Sequence, residues 1–169
     1  MDIISHGLYG GIAFGRKNAK DYIKAFLIGI SPDIFSFGIF MAARILGFAQ
    51  EIDFSKGHMD QSLIPGYVHI LYGITHSLII FFATFFAVWL IRKKPYWILG
   101  AWGLHILIDI PSHSFDFFPT PFLWPISDFM IDGIGWGNPI IFFPNVAILV
   151  IVYAIFLYKR QKNKIRQTQ

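Results

Sequence analysis

The sequence contains no cysteine, so it forms no disulfide and offers no thiolate to a metal ion. Charge is scarce as well: Asp, Glu, Lys and Arg make up 14% of its 169 residues, against about a quarter in ordinary soluble domains. No convincing internal repeat, low-complexity tract or second domain is visible, and the first residues lack the basic start and small-residue cleavage site of a secretory signal peptide. What is abundant is hydrocarbon. The chain is 55% hydrophobic and 18% aromatic, with a mean hydropathy of +0.56. One domain's length of such a chain reads as an integral membrane protein.

A helix needs about 20 apolar residues to cross a bilayer. Stretches of that kind cover residues 22–46, 64–91, 95–114 and 139–158, so the sequence predicts a single all-α membrane domain, a polytopic bundle with four transmembrane helices. Residues 1–15 hold a shorter apolar segment that ends at Arg16, expected as a short membrane-embedded N-terminal helix of the mature fold. Two of the spans carry a proline, Pro32 beside Asp33 and Pro111 just after Asp109. Proline removes an amide donor and frees the carbonyl four residues earlier, and inside a membrane that group must be buried in protein or wetted by a cavity. Broken helices facing a polar interior are therefore expected at Pro32 and Pro111.

Net charge is +4 and the pI about 9.4, which would suggest nucleic acid in a soluble protein. Here the position of the charge argues otherwise. Arg16, Lys17, Lys20 and Lys24 precede the first span, Arg92, Lys93 and Lys94 join the second to the third, and five more basic residues lie in the tail 159–169. If these segments share one side they place twelve of the fourteen basic residues there, leaving only Arg44 and Lys56 for the other. That is the positive-inside pattern, with a cytoplasmic tail that meets anionic lipid headgroups and no nucleic acid. The aromatic, Pro- and Gly-rich segment 115–138 then faces outward, with Trp124 and Trp136 at headgroup level or the whole segment acting as a lid.

Polar residues inside the oil are the informative ones. Counted from the basic residues that mark the inner face, His6, Asp33 and His105 each lie about 14 to 17 Å deep, and His76 somewhat over 20 Å, at roughly 1.5 Å per residue. Asp109 follows His105 by one turn and shares its helix face. Each ionisable group at such depth costs on the order of 2.5 to 3.5 kcal/mol, a cost that a shared cation offsets. Imidazole and carboxylate are the donors divalent ions take when thiolate is absent. The sequence thus predicts a metal site, one or two ions with zinc first, built from His6, Asp33, His76, His105 and Asp109. His113 continues the row as a weaker candidate beyond Pro111. Thr75, Ser77 and Ser112 adjoin these residues and could orient them.

Blander readings stand beside each residue. His105 and Asp109 could be a helix-to-helix hydrogen-bonded pair, and His6 could lie at the interface if its helix is flat. His69 sits near the outer boundary, where a histidine needs no special partner. His58 and Asp60 fall in a loop, and Asp116, Asp128 and Asp132 suit solvated loop positions.

The motifs SHGLYGG, GISPDIFSFG, GITHSL and GLHILIDIPSH followed by FPTPFLWPIS resemble, in order and spacing, the YdjM-like family of bacterial inner-membrane, metal-dependent hydrolases, over most of the chain up to about Ser127. The resemblance implies a multi-pass protein of the bacterial inner membrane, and the family's characteristic polar positions fall on His6, Asp33, His76, His105 and Asp109. One departure is that Leu71 and Tyr72 stand where members typically carry a His-Arg pair, so a basic group expected to hold an anionic substrate is missing.

The chemistry that follows is metal-assisted hydrolysis of a lipid or lipid-linked ester or phosphoester. Asp33 or Asp109 would act as general base, and Ser77 is a further candidate at the reacting centre. The competing classes are a metal or proton transporter, which uses similar intramembrane His and Asp chains, and a non-catalytic accessory subunit. Transport requires polar residues running to both faces, whereas the stretch leading to His105, YWILGAWGL, is apolar.

Overall fold

A computed structural model of the chain describes residues 1–48 and 63–167, with side chains up to residue 162. His58 and Asp60, expected in a loop, lie outside the described residues. All regular structure among the described residues is helical: α1 Ile3–Phe14, α2 Ala19–Asp33, α3 Ile39–Ile45, α4 Gly66–Thr75, α5 Leu78–Arg92, α6 Gly100–Ser112 and α7 Pro139–Gln167.

Three adjacent helices form the centre. α1 begins where Asp2 accepts from the Ser5 amide at 2.9 Å, a typical N-cap. It packs on both α2 and α6. The contact is close because the meeting residues are small: a Cβ added to Gly10 would lie 2.9 Å from the Ala101 Cβ and 2.9 Å from the Ala25 carbonyl oxygen. Small residues let helix backbones approach in a membrane, where no hydrophobic force drives helices together. On its other flank α1 is tied to α7 by hydrogen bonds: Tyr9 donates to Asn145 Oδ1 at 2.9 Å, Asn145 Nδ2 to Ser5 Oγ at 2.9 Å, and Tyr153 to the Leu8 carbonyl at 3.0 Å.

The expected break at Pro32 takes a milder form. α2 continues through a π-helical stretch, Ile34–Gly38, into α3, and together they make one apolar segment of 27 residues, Ala19–Ile45. Pro32 cannot donate to the Ile28 carbonyl, and the Ser31 hydroxyl donates to it instead at 2.9 Å. Ser36 likewise donates to the Pro32 carbonyl at 2.8 Å. The freed backbone is satisfied by neighbouring hydroxyls, so the segment stays helical. Pro111, by contrast, lies in the last turn of α6, which ends at Ser112.

The sharp break falls elsewhere. α4 and α5, read from sequence as one span over 64–91, are bent by 54° at His76 and Ser77. Ser77 starts α5 by accepting from the amides of Ile79 and Ile80 at 3.1 and 3.2 Å, and it donates to the Trp124 carbonyl. The loop after α6 thus folds back over the break, with Leu78 N donating to the Phe122 carbonyl at 2.9 Å.

By length and composition two helices among the described residues are able to cross a membrane, Ala19–Ile45 and Pro139–Lys162, and a third if the bent α4–α5 pair is one span. Four crossing helices were expected from sequence. The stretch read as a span over 95–114 consists of a 3-10 turn at Trp97–Leu99 followed by α6, a shorter apolar helix over Trp97–Ser112. Polarity is inverted relative to a soluble protein. Ile23, Phe35, Phe86, Leu90, Phe143 and Val150 are exposed, while His6, His76, His105 and Asp109 are buried.

Candidate metal centre

Three helices and one helix break deliver the polar residues to one point. α1 contributes His6, the end of α2 Asp33, the break between α4 and α5 His76, and successive turns of α6 His105 and Asp109. His76 and Asp109 are 0% exposed, and His6 and His105 1%. One donor atom each from Asp33, His76, His105 and Asp109 lie within 4.8 Å of one another, an arrangement that could hold a metal ion.

The separations suit one small ion. Donors held at about 2.0 to 2.1 Å around a tetrahedral centre lie roughly 3.3 Å apart. Here His76 Nε2 is 3.4 Å from Asp33 Oδ1, 3.5 Å from Asp109 Oδ2 and 3.0 Å from His105 Nε2. His105 Nε2 is 3.0 Å from Asp109 Oδ2 and 3.8 Å from Asp33 Oδ1.

Hydrogen bonds on the far side of each ring assign its tautomer. His105 Nδ1 lies 2.7 Å from the Gly29 carbonyl, which can only accept, so Nδ1 carries the proton. Thr75 Oγ1 donates to the Leu71 carbonyl and lies 2.9 Å from His76 Nδ1, so that nitrogen is the donor of the pair. In the neutral rings both Nε2 atoms then present lone pairs, directed at each other and at two carboxylates. Asp33 Oδ2 and Asp109 Oδ2 have no hydrogen-bond partner, and neither ring nitrogen of His6 has one. Acceptors facing acceptors in a buried site repel, and a cation among them turns each repulsion into a bond. On this count the residues present fit a divalent ion.

The remaining expected residues are distributed as follows. His6 stacks on the His105 ring with centroids 3.6 Å apart, and its Nε2 lies 2.9 Å from Asp109 Oδ1. His113, at the end of α6, is buried with Nε2 3.4 Å from the same oxygen. Ser112 Oγ donates to the Ile108 carbonyl at 2.9 Å. Ser77 serves as the cap described above. His69 stacks on Phe118, 4.9 Å between centroids. Asp116, Asp128 and Asp132 are exposed, and Asp132 Oδ1 accepts from the Phe115 amide at 2.9 Å.

Sequence reasoning missed three contributors. The Gly29 carbonyl orients His105, a role no side-chain pattern reveals. Tyr72 stacks on His76 with centroids 3.8 Å apart, and its hydroxyl lies 2.9 Å from His113 Nδ1. The Met1 ammonium donates to Asp109 Oδ1 and, at 3.1 Å, to Ser112 Oγ.

An apolar cavity of about 530 Å³ adjoins the cluster. Ile3, Phe37, Phe40, Met41, Phe117 and Trp136 line it together with Asp33 and His113, so it shares residues with the polar centre.

The chain matches no family model, no curated protein and no solved structure.

Proposed function

We infer that this chain is a membrane-bound, metal-dependent hydrolase of the YdjM-like kind, lodged in the bacterial inner membrane with its C-terminus in the cytoplasm, and that it cleaves a lipid or lipid-linked ester or phosphoester. The observation that carries the reading is the convergence of buried donor atoms of Asp33, His76, His105 and Asp109 at spacings that suit one tetrahedral ion. Two imidazoles and two carboxylates suit zinc.

Held by these four residues, a divalent ion would supply Lewis acidity and lower the pKa of water toward neutrality. The chain's own residues do the rest. Gly29 and Thr75 fix the imidazole orientations. Asp33 Oδ2, buried without a hydrogen-bond partner, is free to accept a proton as general base. Because Asp33 also lines the apolar cavity, an aliphatic chain lying there brings its polar end to the carboxylate. A cavity of this size is within the range of small-molecule sites. The lipid reading rests on that shared wall.

Elemental analysis of the detergent-purified protein tests the assignment. The wild type should retain a stoichiometric divalent ion, and His105→Ala and Asp109→Ala should each abolish retention. Hydrolysis should then appear in a panel of lipid phosphoesters and acyl esters and vanish with chelator. Metal content unchanged by both substitutions would remove the site. Metal retained with no hydrolysis, but with flux of the ion across proteoliposomes, would favour transport.

A further inference from the structure

Asp109 has two carboxylate oxygens, and the structure uses them differently. Oδ2 faces His76 and His105, as described. Oδ1 faces the other way, toward His6 Nε2 at 2.9 Å and His113 Nε2 at 3.4 Å. Those separations again bracket the roughly 3.3 Å expected between donors sharing one tetrahedral ion.

The same tautomer argument applies on this side. His113 Nδ1 lies 2.9 Å from the Phe118 carbonyl, which can only accept, so Nδ1 bears the proton and Nε2 presents its lone pair to Oδ1. His6, almost fully buried, makes no hydrogen bond through either ring nitrogen. Two imidazoles therefore converge on a carboxylate oxygen without a hydrogen bond to it. A positive charge does occupy the point: the Met1 ammonium contacts Oδ1 and lies 3.0 Å from His113 Nε2. The structure thus places a cation where these three donors meet.

We propose that His6, His113 and Asp109 Oδ1 form a second divalent-cation site, bridged through Asp109 to the ion at Asp33, His76, His105 and Asp109 Oδ2. The proposal rests on the metal reading above. Carboxylate-bridged ions of this kind lie about 3.5 to 4 Å apart, the separation of two-metal hydrolytic centres. The second ion takes the place of the ammonium against Oδ1.

Cobalt(II) titration of metal-stripped, full-length protein in detergent distinguishes the two sites, with bound cobalt counted by elemental analysis and its visible absorption followed. Wild type should take up two equivalents. His6→Phe keeps the ring that stacks on His105 but removes the nitrogens, and His113→Asn keeps an amide able to donate to the Phe118 carbonyl. Each should bind one equivalent. His76→Ala, which damages only the first site, should also fall to one. One equivalent in wild type, unchanged in His6→Phe and His113→Asn but lost in His76→Ala, would overturn the second site and leave the first standing. No uptake by wild type would overturn both.

Discussion

Replacing Gly29 by Ala tests whether the helix seam and the site are one mechanical unit. A Cβ on Gly29 would lie 2.7 Å from the His6 carbonyl oxygen, 3.2 Å from its carbon and 3.3 Å from the Gly7 Cα. All three are backbone atoms, so no side chain can swing aside. α1 must retreat by about 0.7 Å, from 2.7 Å to the 3.4 Å at which ordinary contact begins. Overpacking of this kind costs about 1 to 3 kcal/mol, and the gain in helix propensity returns about 1 kcal/mol. The net loss of stability is therefore small, about 0 to 2 kcal/mol on the same figures.

The effect on the ion should be larger than the effect on the fold. Gly29 also carries the carbonyl that holds His105 Nδ1 at 2.7 Å, and α1 carries His6. Disturbing such orienting contacts typically weakens metal binding by about 10- to 100-fold. Gly38→Ala is the control in the same helical segment, because its Cβ would meet Ile34 at ordinary contact distance, Cγ2 at 3.5 Å and Cβ at 3.9 Å. Competition against a chelator of known affinity should show Gly29→Ala weakened by about 10-fold or more and Gly38→Ala close to wild type, with both proteins still helical by circular dichroism. Equal affinities for the two variants would refute the claim that the seam positions the donors.

Thr75→Val deletes the hydroxyl at His76 Nδ1 while keeping the shape, and should weaken metal binding by about 10-fold, with Thr75→Ser restoring most of it. Ser77→Ala removes the α5 cap and should lower stability by about 0.5 to 2 kcal/mol in a detergent melting assay, leaving metal stoichiometry intact. Two divalent ions would overcompensate the two carboxylates and leave a cationic centre. Inorganic phosphate should therefore perturb the cobalt spectrum of the wild type and not that of His113→Asn.

The polar residues were legible because a membrane makes them expensive. His105 and Asp109 declare a shared helix face through their spacing of four, and both lie in the cluster. His6, Asp33 and His76 could be placed at similar depth by counting from the basic residues, since rise per residue is nearly constant in a helix. The helix breaks were harder to read, because proline is only half of that signal. At Pro32 the serines at positions 31 and 36 supply the missing donors, so the segment continues. At Ser77, with no proline in sight, the chain bends by 54°. A Ser before an apolar run is a known helix start, and inside one long hydrophobic stretch it is easily overlooked.

What could not be read from side-chain pattern is the half of the site made by backbone. The carbonyls of Gly29, Leu71 and Phe118 determine which nitrogen of His105, His76 and His113 carries its proton, directly or through Thr75. These carbonyls are available for physical reasons that depend on tertiary structure. Gly29 can reach His105 because α1, α2 and α6 meet across small residues, and Phe118 can reach His113 because the loop after α6 folds back. A donor set such as His6, Asp33, His76, His105, Asp109 and His113 is therefore a statement about elements, while the direction of each lone pair is a statement about packing. The second determines whether the first could hold one cation or two, since Asp109 could bridge only if His6 and His113 face Oδ1 while His76 and His105 face Oδ2.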